Sequence, residues 1–164
     1  MFLIYTPREP KLTGSPMRFS EYLNEHSESE KDIKKTLGKL PSKHAGLVQG
    51  YKVVFQPSNS LKGDEKHIGV IDEKKKTITI SSPWHYGREY TFLHEVGHAV
   101  WKYLVDEDKK AEWKKILSVV KKNNKKDLNQ NDEEIFCMTY AQHYAKNKIK
   151  KYDHDRLVDF VSKL

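Results

Sequence analysis

An α+β fold is predicted for this chain by three observations: hydrophobic residues at helical spacing toward both ends, short β-branched segments between them, and no internal repeat. With 164 residues it is expected to form one domain, 1–164, large enough to bury a core without disulfide staples. The expected division is a helical N-terminal extension over 1–40, a small mixed sheet with one long helix over 41–104, and a helical part over 105–164. Met17 to Asn24 and Lys31 to Leu40 carry apolar residues at helical spacing, and Pro41 stops the second run. Tyr51-Lys52-Val53-Val54-Phe55 is a strand candidate closed by Pro57-Ser58-Asn59-Ser60. A hairpin follows, with His67 to Ile71, a turn at Asp72 to Lys75, and the alternating run from Lys76 to Ser81. Helices are expected over Arg88 to Leu104, Lys109 to Lys122, Asp132 to Asn147 and Asp153 to Leu164.

Composition narrows the function classes. The net charge of +7 comes mostly from lysine clusters at 74–76, 114–126 and 146–151, with little arginine. Nucleic-acid grooves usually interleave arginine and aromatic side chains with their basic residues, so a solvated basic surface is expected and nucleic-acid binding is disfavoured. Cys137 is the only cysteine, which excludes an internal disulfide and suits a small apolar helix residue. No segment reaches the length of a membrane span. The short apolar start Met1-Phe2-Leu3-Ile4-Tyr5 lacks the basic lead of a signal peptide. A cytoplasmic or phage- or effector-associated protein is therefore expected, or the mature part of a secreted one, acting as a monomer.

His94-Glu95-Val96-Gly97-His98 carries the chemistry. Residues four apart share one helical face, so His94 and His98 can direct imidazole nitrogens at one tetrahedral zinc. Glu95 stands where its carboxylate can deprotonate a zinc-activated water. With 8 His and 13 Glu in the chain, a shuffled sequence would hold about 0.03 such pentapeptides. Tyr90, Phe92, Leu93, Val96, Ala99, Val100 and Trp101 make the helix mostly apolar, where an unpartnered His-Glu-His trio would be costly. A zincin-like fold with one Zn²⁺ per chain is the expectation.

A catalytic zinc needs a third protein donor. Trp101 and Leu104 occupy the positions where a metzincin has its glycine and third histidine, which excludes that class. The helix beginning Asn131-Asp132-Glu133-Glu134-Ile135-Phe136 offers carboxylates instead. Glu134 is preferred as ligand because it shares a face with Met138, Ala141 and Ala145, whereas Glu133 leans about 100° away. Asp132 and Glu133 are then read as favouring the helix N-terminus electrostatically.

The order and spacing of the Leu40-Pro41 pair, the Tyr51 to Phe55 strand, the Ile68-Gly69-Val70-Ile71-Asp72 and Lys76-Thr77-Ile78-Thr79-Ile80 hairpin, and the Phe92 to Ala99 motif resemble the catalytic domain of anthrax lethal factor and the Pro-Pro endopeptidases. Glu134-Ile135-Phe136 is similar to the Glu-Phe-Phe segment of that family, and the resemblance covers about two thirds of the chain. It implies a gluzincin fold, a zinc held by His94, His98 and Glu134, and Glu95 as general base. It also implies that Thr77, Ile78, Thr79, Ile80 and Ser81 form the edge on which an extended peptide docks. Two positions depart from the family pattern: Asp127 stands where relatives carry an oxyanion-stabilising tyrosine, and Met138 where they often carry an acid that orients a zinc histidine.

Candidates for the missing oxyanion donor or a cleft role are His85, Tyr86, Tyr90 and His143. His26, His44, His67 and His154 read as surface residues, and Trp84, Trp101 and Trp113 as core or rim aromatics. The leading expectation is a zinc endopeptidase acting on a peptide or protein substrate. The alternatives are an intracellular, repressor-cleaving regulatory metallopeptidase and a catalytically weak zinc-binding interaction module.

Overall fold

The computed structural model describes residues 31–55, 69–80, 87–123, 128, 130–145 and 154–164. Helix α1, described over 31–37, is followed by α2 at Ser42–Leu47. A three-stranded sheet comes next, β1 at Lys52–Phe55, β2 at Gly69–Asp72 and β3 at Thr77–Ile80. The chain then runs through α3 at Gly87–Tyr103, α4 at Glu107–Asn123, α5 at Asp132–Tyr144 and α6 at Asp155–Ser162. The architecture is mixed α+β with a small mixed sheet. Among the described residues no helix is long and apolar enough to cross a membrane.

Sheet order is β1-β3-β2, with β1 parallel and β2 antiparallel to β3. Ile78 pairs with Val53 on one side and Ile71 on the other, so β3 is the central strand. This corrects the expectation that Thr77 to Ile80 form a substrate-binding edge; Ser81 lies outside the described residues. The reason is burial: Ile78 and Ile80 are 0% and 1% exposed, and a strand rich in β-branched residues gains most when both edges are paired. The hairpin turn spans 73–76, where the Asp72 carboxylate accepts from the Lys75 N–H at 3.0 Å and Lys76 takes a left-handed φ of 49°.

Pro41 ends the first helical run as expected, but it also serves as the N-cap of α2, a short helix the periodicity does not announce. The predicted helix at Met17 to Asn24 lies outside the described residues. Helix α5 closes at Tyr144, three residues short of the predicted Asn147, with Ala145 already extended.

Helix α3 is the hub, packing on α2, β2, β3 and α5. Phe92, Leu93, Val96 and Val100 are at most 1% exposed, and each such side chain contributes about 1.5–3 kcal/mol of hydrophobic stabilisation. Trp101, Phe136 and Trp113 stack in series at ring distances of 5.0 and 5.4 Å, and Trp113 reaches Phe160 of α6 at 5.3 Å. The Trp113 indole donates to the Asp132 carbonyl at 3.0 Å, which ties α4 to the first turn of α5. At the N-terminal side, the Glu89 carboxylate of α3 accepts from the Thr36 hydroxyl and the Lys39 ammonium at 3.0 and 2.9 Å.

His44 is a correction. It is fully buried rather than on the surface, with Nδ1 3.1 Å from the Tyr140 hydroxyl of α5. Burial lowers its pKa to about 4.

Candidate metal centre

Between Tyr90 and Lys102 of α3, burial is interrupted only at His94, His98 and Lys102, one residue per turn, and every residue between His94 and His98 is buried. This is the four-residue spacing acting on a helix otherwise enclosed by sheet and α5. The His94 and His98 rings stand edge to face, 5.0 Å between centroids. His94, Glu95 and His98 present ligand atoms within 4.8 Å of one another.

Helix α5 supplies the facing carboxylates. Its N-cap is Asn131, whose side-chain carbonyl accepts from the Glu134 N–H at 2.7 Å, which sets the start of the helix and the angle of its first turn. Glu134 then puts Oε2 at 3.3 Å from His94 Nε2 and Oε1 at 3.5 Å from His98 Nε2. Glu133 reaches the other nitrogen of His98, Oε1 to Nδ1 at 2.8 Å.

Gly97 permits α5 to lie this close. A Cβ there would lie 3.0 Å from the Cys137 Cα and 3.3 Å from its Cβ, so glycine permits the backbones to meet. The same close approach of α3 and α5 accompanies the short distances from Glu134 to both histidines.

Two carboxylates compete for the role of third donor. Glu95 is 4% exposed, and a Cβ on Gly69 of β2 would lie 2.5 Å from its Oε1 and 2.9 Å from Thr91 Cγ2, so β2 boxes it in. Burial raises the Glu95 pKa; His94 and His98 oppose that, Glu134 reinforces it, and the Ile71 backbone N–H, which donates to the carboxylate, opposes it. Glu95 is held against β2, whereas Glu134 offers one oxygen to each imidazole. Donor atoms about 2.0–2.1 Å from a tetrahedral metal ion stand about 3.3–3.4 Å apart; Glu134 approaches the two imidazole nitrogens at 3.3 and 3.5 Å, through a different oxygen for each. His94, Glu95 and His98 form a cluster that could hold a metal ion, and Glu134 faces both imidazoles from α5.

The remaining candidates separate clearly. The Tyr90 hydroxyl donates to the Met138 carbonyl at 3.1 Å, so it links α3 to α5. His143 follows Glu134 by nine residues on α5, which is about 13 Å along the helix and half a revolution around it. Its ring packs edge-on against Tyr144 at 4.5 Å. His85 and Tyr86 lie outside the described residues, as do His26, His67 and Trp84.

The Glu133 contact with His98 and the close approaches at Gly69 and Gly97 were not anticipated from the sequence. Glycine inside a strand or helix signals close approach of another group, and both glycines were readable that way. Glu133 had a weaker signal, the absence of an acid at position 138. No family model, curated protein or solved structure matches the chain, so the geometry stands without a relative to compare.

Proposed function

We propose that the chain is a zinc-dependent endopeptidase in which His94, His98 and Glu134 hold the metal and Glu95 is the general base. The observation that carries this is the pair of Glu134 oxygens at 3.3 and 3.5 Å from the two imidazole Nε2 atoms, with a second, buried carboxylate alongside. Zinc bound there would supply Lewis acidity toward a peptide carbonyl and make water a competent nucleophile near neutral pH. The chain's own contribution is proton handling and alignment. As the water oxygen bonds to the carbonyl carbon, the Glu95 carboxylate takes one water proton. When the carbon–nitrogen bond breaks, the same carboxyl passes that proton to the departing amine. Glu95 is buried beside the two imidazoles, where one carboxylate can serve in both steps.

The substrate's extended backbone is assigned to β2 rather than β3. Among the described strands β2 is an outer strand, and it packs on α3 with Gly69 against Glu95. A peptide added along Gly69–Asp72 would bring its carbonyls past the base.

The second reading, a zinc-binding interaction module, is favoured by the Tyr90 hydroxyl, which is engaged with Met138 rather than directed at an oxyanion. Incubating the zinc-loaded chain with a diverse peptide library and sequencing the fragments by mass spectrometry separates the two. Cleavage that disappears in Glu95→Gln, with zinc content unchanged, supports the endopeptidase. Intact peptides with one zinc per chain overturn it in favour of the interaction module.

A further inference from the structure

An imidazole that gives one nitrogen to a metal must send its other N–H to an acceptor, and that acceptor sets the tautomer, the ring orientation and the basicity of the ligating nitrogen. At His98 the two nitrogens have different carboxylate neighbours. Nε2 lies 3.5 Å from Glu134 Oε1, and Nδ1 lies 2.8 Å from Glu133 Oε1. Adjacent helical residues project about 100° apart, which lets two consecutive glutamates reach opposite edges of a ring that projects from α3 toward the first turn of α5. Position 138, one turn further along α5, has a methionine whose carbonyl takes the Tyr90 hydroxyl.

We infer that Glu133 is the positioning residue of the metal centre: it accepts the Nδ1–H of His98 and so leaves the Nε2 lone pair facing His94 and Glu134. The inference rests on the metal-site reading of the preceding subsection. A carboxylate immediately before the ligand glutamate thereby does what an acid at 138 could not do in this chain. The contact is not chiefly a stabilising one. The Glu133 side chain is 44% exposed and that of His98 22%, and ion pairs so open to water add little to folding. Its effect should fall on the histidine's state and on metal affinity, leaving stability nearly unchanged.

The test compares the full-length wild type with Glu133→Ala and Glu133→Gln. Zinc affinity is measured by competition with a chromophoric chelator, and the His98 tautomer by long-range ¹H–¹⁵N NMR of zinc-free protein at a pH well above the imidazole range. Wild type should show the Nδ1–H tautomer at His98. Glu133→Ala should lose that bias and bind zinc roughly 10–100-fold more weakly, with an unchanged melting temperature in the zinc-free state. Glu133→Gln should fall between the two, since its amide oxygen accepts the same N–H without the charge. Zinc affinity and His98 tautomer both unchanged in Glu133→Ala overturn the inference. Wild type that binds no zinc overturns the metal-site reading instead, before any variant is compared, while the tautomer in zinc-free protein still reports whether Glu133 orients the ring.

Discussion

Helices α3 and α5 both face the candidate centre, yet they reach it by different means. In α3 the two histidines are positioned by the helix itself: one backbone, one turn, and buried neighbours on either side. In α5 the glutamates matter only because the Gly97–Cys137 approach and the Asn131 cap bring them to α3. Local periodicity makes a pair of candidate ligands, and tertiary packing brings up the third candidate. A site built this way has a rigid half and a half that depends on one interhelical distance.

The largest expected effect tests the α3 half. Glu95→Gln should lower peptide turnover roughly 10²- to 10⁴-fold while zinc content stays at that of wild type; loss of metal together with activity would make Glu95 a ligand. Next, His94→Ala and Glu134→Ala should each weaken zinc binding more than about 100-fold, beyond the loss expected for a residue that only orients a ligand. Were Glu134→Ala to keep wild-type affinity, α3 alone would hold the metal and the contrast between the helices would collapse.

A third test concerns the far end of α5, where His44 is buried against Tyr140. Its folded pKa of about 4 lies below the 6.5 of a free imidazole. As pH falls below 6.5, unfolded chains take up a proton that the folded protein does not, so stability declines until pH reaches about 4. The accumulated loss should be about 3 kcal/mol, read as a drop in urea midpoint between neutral pH and the lower end of that window. His44→Gln should flatten this dependence; an equal slope in the variant would exclude His44 as its source.

The smallest effect sharpens the comparison most. Gly97→Ala inserts a methyl between α3 and α5 and should cost about 1–3 kcal/mol of stability by overpacking. Because the strain falls between the two halves of the site, zinc affinity should fall as well, although no ligand has been touched. Retained affinity in a destabilised Gly97→Ala protein would mean that Glu134 follows the histidines when the helices shift.

Much of this arrangement was legible. The boundaries of α3, the Asp132 start of α5 and the hairpin over 69–80 follow from apolar spacing and turn chemistry, because each is decided within a few residues. The position of β3 was not. A strand of alternating β-branched residues looks the same at an edge and at a centre until its partners are known, and here β1 pairs on one side and β2 on the other. His44 was misread for a related reason: a lone histidine in a polar stretch gives no sign of the tyrosine 96 residues later that buries it.

The sequence by itself determined the helical histidine pair, the neighbouring glutamate and the α+β order of elements, since these depend on 3.6-residue and two-residue periods that operate locally. Only the tertiary structure decided which glutamate faces both Nε2 atoms, which one takes the Nδ1 side of His98, and which strand borders Glu95. Those are distances between segments far apart in the chain. They come from close packing, which a glycine beside one cysteine and another beside a carboxylate allow, and no spacing along the chain encodes it.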